Sequence, residues 1–392
     1  MRRALLARDA IDSKIVYAVI FALSAAIFVY YVALNVHAVI YDEAGYWTLA
    51  QGLRINGIAA FADPLRSYLY PAIIAVLTTV TGENVVATKL VLSIVQYLLY
   101  AFTVWLCADT AGRLGKSALA RMTVLFLGLV NPYLVSASTL MLTDVASACL
   151  ATIALIYVTT RDLDDARNAA VVAFCVAAAT MVRPSAAVFV ATVGVLAAYR
   201  IVTEKQRARK LIAAAAASLV VFLPQLYINV SKFGDLNPLI HTKLYGMQTV
   251  FAVSILKYGT VAIAGQDARL IYHSPFPPEA AGTTIFDVLI THPFEFAVMY
   301  GAHLFGLLDW AYVNTYIYDL SVGPRLLPSI YLYAQWFLIA LGIAAALRAA
   351  KRAFFVSGAL FSAALYALFM GTTTVESRFG FPLYLFLLPF AG

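Results

Sequence analysis

Long apolar runs separated by short polar segments dominate the chain and set its architecture before any single residue is considered. Uninterrupted runs cover residues 15–36, 84–108, 118–139, 145–160, 168–202, 211–230, 328–347, 353–371 and 380–392, with weaker ones at 68–80 and 294–313. Crossing the ~30 Å hydrocarbon core takes about 20 helical residues. The runs therefore predict an all-α, polytopic integral membrane protein. The run from Tyr68 to Val80 would span only ~20 Å as a helix at ~1.5 Å per residue, so it is expected to lie along the surface.

Composition agrees with this pattern and excludes a soluble globule. Apolar residues make up 63% of the 392 positions and charged residues 12%, where soluble domains hold roughly half and a quarter. The three cysteines, Cys107, Cys149 and Cys175, all fall inside apolar runs, with neither disulfide nor metal-ligand spacing.

The net charge of +7 invites a nucleic-acid reading, which its distribution rejects. Of the 27 Lys and Arg residues, 17 fall in five short clusters, at 1–14, 109–121, 161–167, 200–210 and 348–352. Basic loops of this kind mark the cytoplasmic side. Taking all five as cytoplasmic fixes the parity. Helix 15–36 goes out and helix 84–108 returns, leaving 37–83 as a first outer loop. The run 168–202 must cross twice, turning at Arg183-Pro184, where a charge meets a helix breaker. A long outer segment, 231–327, carries Lys232, His241, Lys243, His273 and the prolines Pro275, Pro277 and Pro278. The run 294–313 is placed as a second interfacial helix, because a crossing there would put Arg348, Lys351 and Arg352 outside. The expectation is about ten crossings in one transmembrane domain, 1–392, with both termini cytoplasmic and the first helix retained rather than cleaved.

On this topology 13 of the 20 acidic residues lie on the outer side. Asp42 and Glu43 sit in YDEAGYWTLAQGL, whose aromatic and apolar positions predict an interfacial helix with its carboxylates turned toward a cavity. Asp144, in TLMLTD, is an ionisable group at the edge of an apolar run and so a candidate functional residue. Arg183 and Arg378 converge on the same face. Arg66 and Lys232 are further outer-loop cations suited to phosphate or acceptor contacts. The residues alone leave an enzyme, a transporter or lipid flippase, and a lipid-linked glycan ligase or polymerase open.

The ordered set YDEAGYW at 41–47, PLRSYLYPAIIAVLTTVTG at 64–82, NPYLVSASTLMLTD at 131–144, VRPSA at 182–186 and ESRFGFPLYLFLLP at 376–389 resembles the GT-C glycosyltransferases that use polyprenyl-phosphate sugars. Among these are the protein O-mannosyltransferases and the lipid A aminoarabinose transferase. The resemblance implies that Asp42 is the catalytic base with Glu43 beside it, and that Asp144 is the second acid. It implies that Arg183 faces the donor phosphate, and that Glu376 and Arg378 form the late E-x-R-[YF] element, with Tyr46, Trp47, Tyr68 and Tyr70 at the membrane interface. In some members the acids go with a divalent cation, magnesium or manganese, which Asp42 and Asp144 would hold here.

The implied reaction is inverting transfer of a sugar from a polyprenyl-phosphate donor to a hydroxyl on a glycolipid, glycan or protein acceptor. A departing phosphate needs its charge stabilised, which forked, permanently charged arginines do well. An acceptor hydroxyl needs a carboxylate to take its proton. Alanine-rich helices point to a bacterium of high genomic G+C content, hence to its cytoplasmic membrane with the site facing the periplasm.

Overall fold

The computed structural model describes every residue except 1, 205–207, 243, 255–256, 262–268, 273–275, 277–279, 281, 310–321, 350–352 and 374. Lys243, His273, Pro275, Pro277 and Pro278 of the long outer segment, and Lys351 and Arg352 of the last basic cluster, lie outside the described residues.

The described chain is helical apart from one small antiparallel hairpin. In order, the helices are α1 (Arg2–Asn35), α2 (Asp42–Asn56), α3 (Leu69–Thr81), α4 (Val85–Gly115), α5 (Ala118–Leu129), α6 (Pro132–Ala137), α7 (Thr143–Thr160), α8 (Ala166–Val182), α9 (Ala187–Thr203), α10 (Ala208–Ser218) and α11 (Leu223–Phe233). After α12 (Leu244–Ser254) come the strands β1 (Lys257–Val261) and β2 (Arg269–Tyr272). The chain ends with α13 (Ile285–Thr291), α14 (Pro293–Leu308), α15 (Val322–Arg348), α16 (Ala353–Gly371) and α17 (Phe381–Leu387). The sequence pattern did not disclose the hairpin, because its segment carries no strict polar–apolar alternation.

Contacts sort the helix ends into two groups. At one end, here the upper, Asn35 Nδ2 donates to Thr139 Oγ1 at 2.8 Å, Lys89 Nζ pairs with Glu43 at 2.7 Å and Arg183 pairs with Asp144 at 2.7 Å. Gln225 Oε1 accepts from Tyr68 N at 3.0 Å, and the Tyr366 hydroxyl donates to the Phe379 carbonyl at 2.7 Å. At the lower end Arg161 pairs with Asp109 at 3.5 Å. There Arg200, near the end of α9, donates to the carbonyls of Val158 and Arg161, and Lys210, near the start of α10, donates to that of Asp164. Gly358 of α16 abuts Thr159 and Leu196, Gly342 of α15 abuts Phe390, and Gly392 abuts Ala120.

Passes between the two ends are therefore made, among the described residues, by α1, α4, α5 with α6, α7, α8, α9, α10 with α11, α15, α16, and α17 with its flanking turns. The 168–202 run does pass twice: α8 stops at Val182, and Arg183 is extended at φ −143° and ψ 110°, the conformation favoured before proline. Among the described residues seven helices are long and apolar enough to cross a membrane, and Leu69–Thr81, Ala118–Leu129, Ala166–Val182 and Arg378–Ala391 are shorter apolar helices. The protein is multi-pass. Helix α14 hydrogen-bonds to the upper end through Tyr300 and His303, which reach the Leu368 and Gly371 carbonyls, and the carbonyl of its last residue, Leu308, accepts from Trp336 and Tyr384.

Helix α7 is central, with 78% of its span buried against 17% for α1. Buried Ala148, Ala151 and Ala154 let neighbouring backbones approach, the usual packing device between helices in lipid. Gly342 serves the same end, since a Cβ there would stand 1.6 Å from the Phe390 carbonyl oxygen. Gly342→Ala is expected to cost about 1–3 kcal/mol, read as a lower thermal midpoint in detergent. Gly194→Ala, which faces open space, is its control.

Candidate active site

The site begins at the first turn of α2. Tyr41, just before it, has φ 50° and ψ −121°, a conformation costing a non-glycine residue about 1–3 kcal/mol. Asp42 and Glu43 follow, and the helix sends them in different directions. The Asp42 side chain is 41% exposed, at the mouth of the site. Glu43 is 1% exposed and faces Lys89, equally buried, at 2.7 Å. Its Oε1 also accepts the Met141 N–H at 2.7 Å. The stretch leading to α7 is held by side chains too: Gln96 Nε2 donates to the Ser138 and Leu140 carbonyls, and Ser93 to that of Thr139. Asp144 thereby enters the first turn of α7 with its side chain only 5% exposed.

Three arginines from distant stretches meet these two aspartates. Asp63 Oδ1 accepts from the backbone N–H groups of Leu65 and Arg66 at 2.7 and 2.8 Å, fixing the loop so that Arg66 Nη2 lies 3.1 Å from Asp42 Oδ1. Arg66 also covers the Tyr46 ring at 5.2 Å, a cation–π arrangement. A Cβ on Gly45 would come within 3.1 Å of that guanidinium, so the close approach uses the glycine. Arg378, in the turn Ser377–Gly380, reaches Asp42 Oδ2 at 3.0 Å, Asp144 Oδ2 at 3.4 Å and Glu376 Oε2 at 2.7 Å. Arg183 lies 2.7 Å from Asp144 Oδ1 and is oriented by Ser185 Oγ at 3.0 Å and Thr143 Oγ1 at 3.3 Å. Both Arg183 and Arg378 lie over the Phe379 ring, at 4.6 and 5.1 Å.

The result is one continuous chain of alternating charge: Arg66, Asp42, Arg378, Asp144, Arg183. Behind it a cavity of about 10 Å³, lined by Asp144, Ser147, Arg183, Ser185, Phe189 and Tyr366, has room for about one water. Burial pushes the Tyr46 phenol above its ordinary pKa, against the opposing pull of its Thr143 hydrogen bond and of Arg183 and Arg66. It therefore stays neutral at physiological pH.

Of the residues named from the sequence, Asp42, Asp144, Arg66, Arg183, Arg378, Glu376 and Tyr46 share this network. Glu43 is turned away into its own buried pair. Lys232 is exposed at the end of α11, and among the described residues it pairs with no carboxylate. His241 pairs with Asp235 and stacks on Phe233. Tyr68 and Tyr70 do not line a membrane interface: both are buried, with their hydroxyls donating to the Val221 carbonyl at 2.8 Å and Gln96 Oε1 at 3.1 Å.

Among the described residues no group of three or more histidines, cysteines or carboxylates is placed to hold a metal ion. Asp42 and Asp144 share the Arg378 guanidinium as their common cation, and a magnesium or manganese ion does not fit that donor set.

Sequence reasoning missed Lys89, Asp63 and Phe379. Lys89 had a signal, since a lysine near the start of an apolar span requires a partner.

The model of the Alg9-like mannosyltransferase family matches residues 61–286, more than half of the chain and a span that takes in Arg66, Asp144 and Arg183. No curated protein matches the chain.

Proposed function

The chain belongs to the Alg9-like mannosyltransferase family, a GT-C family, and from that premise we propose the particular reaction its charged network supports. Membership makes it a glycosyltransferase taking a lipid-linked sugar to a glycan acceptor, and removes the transporter reading. The reaction proposed is inverting transfer of mannose from a polyprenyl-phosphate donor to an acceptor hydroxyl. The observation that carries it is Asp42, half-exposed and held between Arg66 and Arg378 at 3.1 and 3.0 Å.

In the resting arrangement those guanidinium groups satisfy Asp42. A donor phosphate taking over their hydrogen bonds leaves the carboxylate as the acceptor for a proton. Asp42 then removes the hydroxyl proton as the acceptor oxygen bonds to the anomeric carbon. The bond from that carbon to phosphate oxygen breaks, and polyprenyl phosphate departs with the electron pair. Its added charge falls on arginines already oriented, the preorganisation that makes electrostatic stabilisation effective. With no enzymic nucleophile in the step, one displacement inverts the anomeric centre.

The lower end of the bundle bears Arg113, Arg161, Arg200 and Lys210, and a cytoplasmic lower end supports a site on the outer face. For a bacterial chain that is the periplasmic side of the cytoplasmic membrane. Transfer in nanodiscs from an anomerically defined mannosyl-phosphoryl polyprenol, with the product anomer read by NMR, tests the reaction. Inversion is expected, and retention would overturn direct displacement. Arg183→Ala is expected to weaken donor binding by about tenfold or more, the scale of one lost charged hydrogen bond, measured as the donor Kd with acceptor absent.

A further inference from the structure

Lys89 and Glu43 form an ion pair that the transfer chemistry leaves unused. Each side chain is 1% exposed, and the pair ties four pieces of chain together at one point. Glu43 Oε1 accepts from Met141 N, in the stretch leading to Asp144, and Oε2 accepts from Ile40 N at 3.3 Å. Lys89 Nζ, from α4, also donates to the Ala38 carbonyl. The Glu43 N–H in turn donates to the Ile40 carbonyl at 3.0 Å.

Enclosed by these bonds is Tyr41, whose φ of 50° and ψ of −121° suit glycine rather than tyrosine. Tyr41 itself is 70% exposed, and its carbonyl accepts from Gly45 N at 3.4 Å. A strained backbone persists only where its surroundings over-determine it, and the bonds of Glu43 and Lys89 grip the chain on both sides of Tyr41, at Ala38, Ile40 and Glu43. The next residue is Asp42. Relaxing Tyr41 to negative φ would swing the first turn of α2 and with it the Asp42 carboxylate.

We propose that the Glu43–Lys89 pair is a positioning device for transfer: it holds Tyr41 in its left-handed conformation and so aims Asp42 at Arg66 and Arg378. The proposal rests on the reading of Asp42 as base. It makes Glu43 and Lys89 positioning residues, neither of which touches substrate.

A purely structural pair would cost folded protein when removed, and glycine at position 41 would not repair the loss. The test uses Glu43→Gln/Lys89→Met, which removes both charges and leaves no buried one unpaired, with and without Tyr41→Gly. Transfer by full-length protein in nanodiscs is measured per folded molecule. Expected is a fall in kcat of about 10- to 100-fold, the scale of a carboxylate misplaced by about 1 Å, with donor KM changed little. Tyr41→Gly, which removes the conformational penalty, is expected to restore at least threefold, on the order of the strain released.

Unchanged kcat in the double variant, or no gain from Tyr41→Gly, would overturn the proposal. If the double variant does not fold, Glu43→Asp keeps the charge and shortens its reach. The same loss of kcat and the same rescue are then expected, and their absence is equally decisive. Asp42→Asn run alongside separates the two claims. An active Asp42→Asn overturns the base assignment and the proposal with it, whereas an inactive one beside a fully active double variant overturns the positioning proposal alone.

Discussion

Asp42→Asn is expected to lower the transfer rate by about 10²- to 10⁴-fold, the range that a positioned general base contributes, while donor affinity stays within a few-fold. The amide is isosteric, so its oxygen still accepts from one arginine and the first turn of α2 keeps its shape. What it loses is the capacity to take a proton. Asp42 is the carboxylate that combines exposure with a place between two guanidinium groups, whereas Asp144 and Glu43 are buried in pairs. Single-turnover transfer and equilibrium donor binding, measured on the same preparation, separate chemistry from binding. Near-wild-type turnover by Asp42→Asn beside a dead Glu43→Gln would move the base to Glu43.

Arg378→Ala carries the second large effect, an expected loss of about 10²- to 10³-fold in kcat/KM, the cost of removing one donor aimed at developing charge. Arg378 is the hub of the network, touching Asp42, Asp144 and Glu376 at 3.0, 3.4 and 2.7 Å. Three carboxylates converge there, and a guanidinium answers them with its three nitrogens at fixed angles. Arg378→Lys is expected to recover little, because an ammonium is a compact charge without the fork. Arg54→Ala, which breaks the more exposed pair with Glu83, is expected to leave kcat/KM unchanged, as surface pairs contribute little. Comparing the three variants distinguishes loss of this guanidinium from loss of positive charge in general.

The passes were legible because lipid imposes a simple demand: apolar length, with basic residues left on one side. That demand placed the break at Arg183-Pro184 and put Asp42, Asp144, Arg183 and Arg378 on one face. It did not show how side chains pair within that face. Glu43 and Asp42 are neighbours in sequence, yet one helical residue turns the first into a buried pair with Lys89 and leaves the second at the mouth. Tyr68 and Tyr70 read as interfacial aromatics, but a hydroxyl satisfied by a buried Gln96 or a carbonyl serves as well as one satisfied by water. The 118–139 run concealed its break at Asn131, where the side chain accepts from Leu134 N at 3.1 Å and Pro132 restarts the helix. A polar residue followed by proline was the available signal.

The most direct test of the account is the stoichiometry of transfer by purified protein in nanodiscs supplied with mannosyl-phosphoryl polyprenol and a glycan acceptor. One polyprenyl phosphate released for each sugar transferred, with both products lost together in Asp42→Asn, is the predicted result. Transfer from a nucleotide sugar with no lipid phosphate released, or undiminished release by Asp42→Asn, would contradict it.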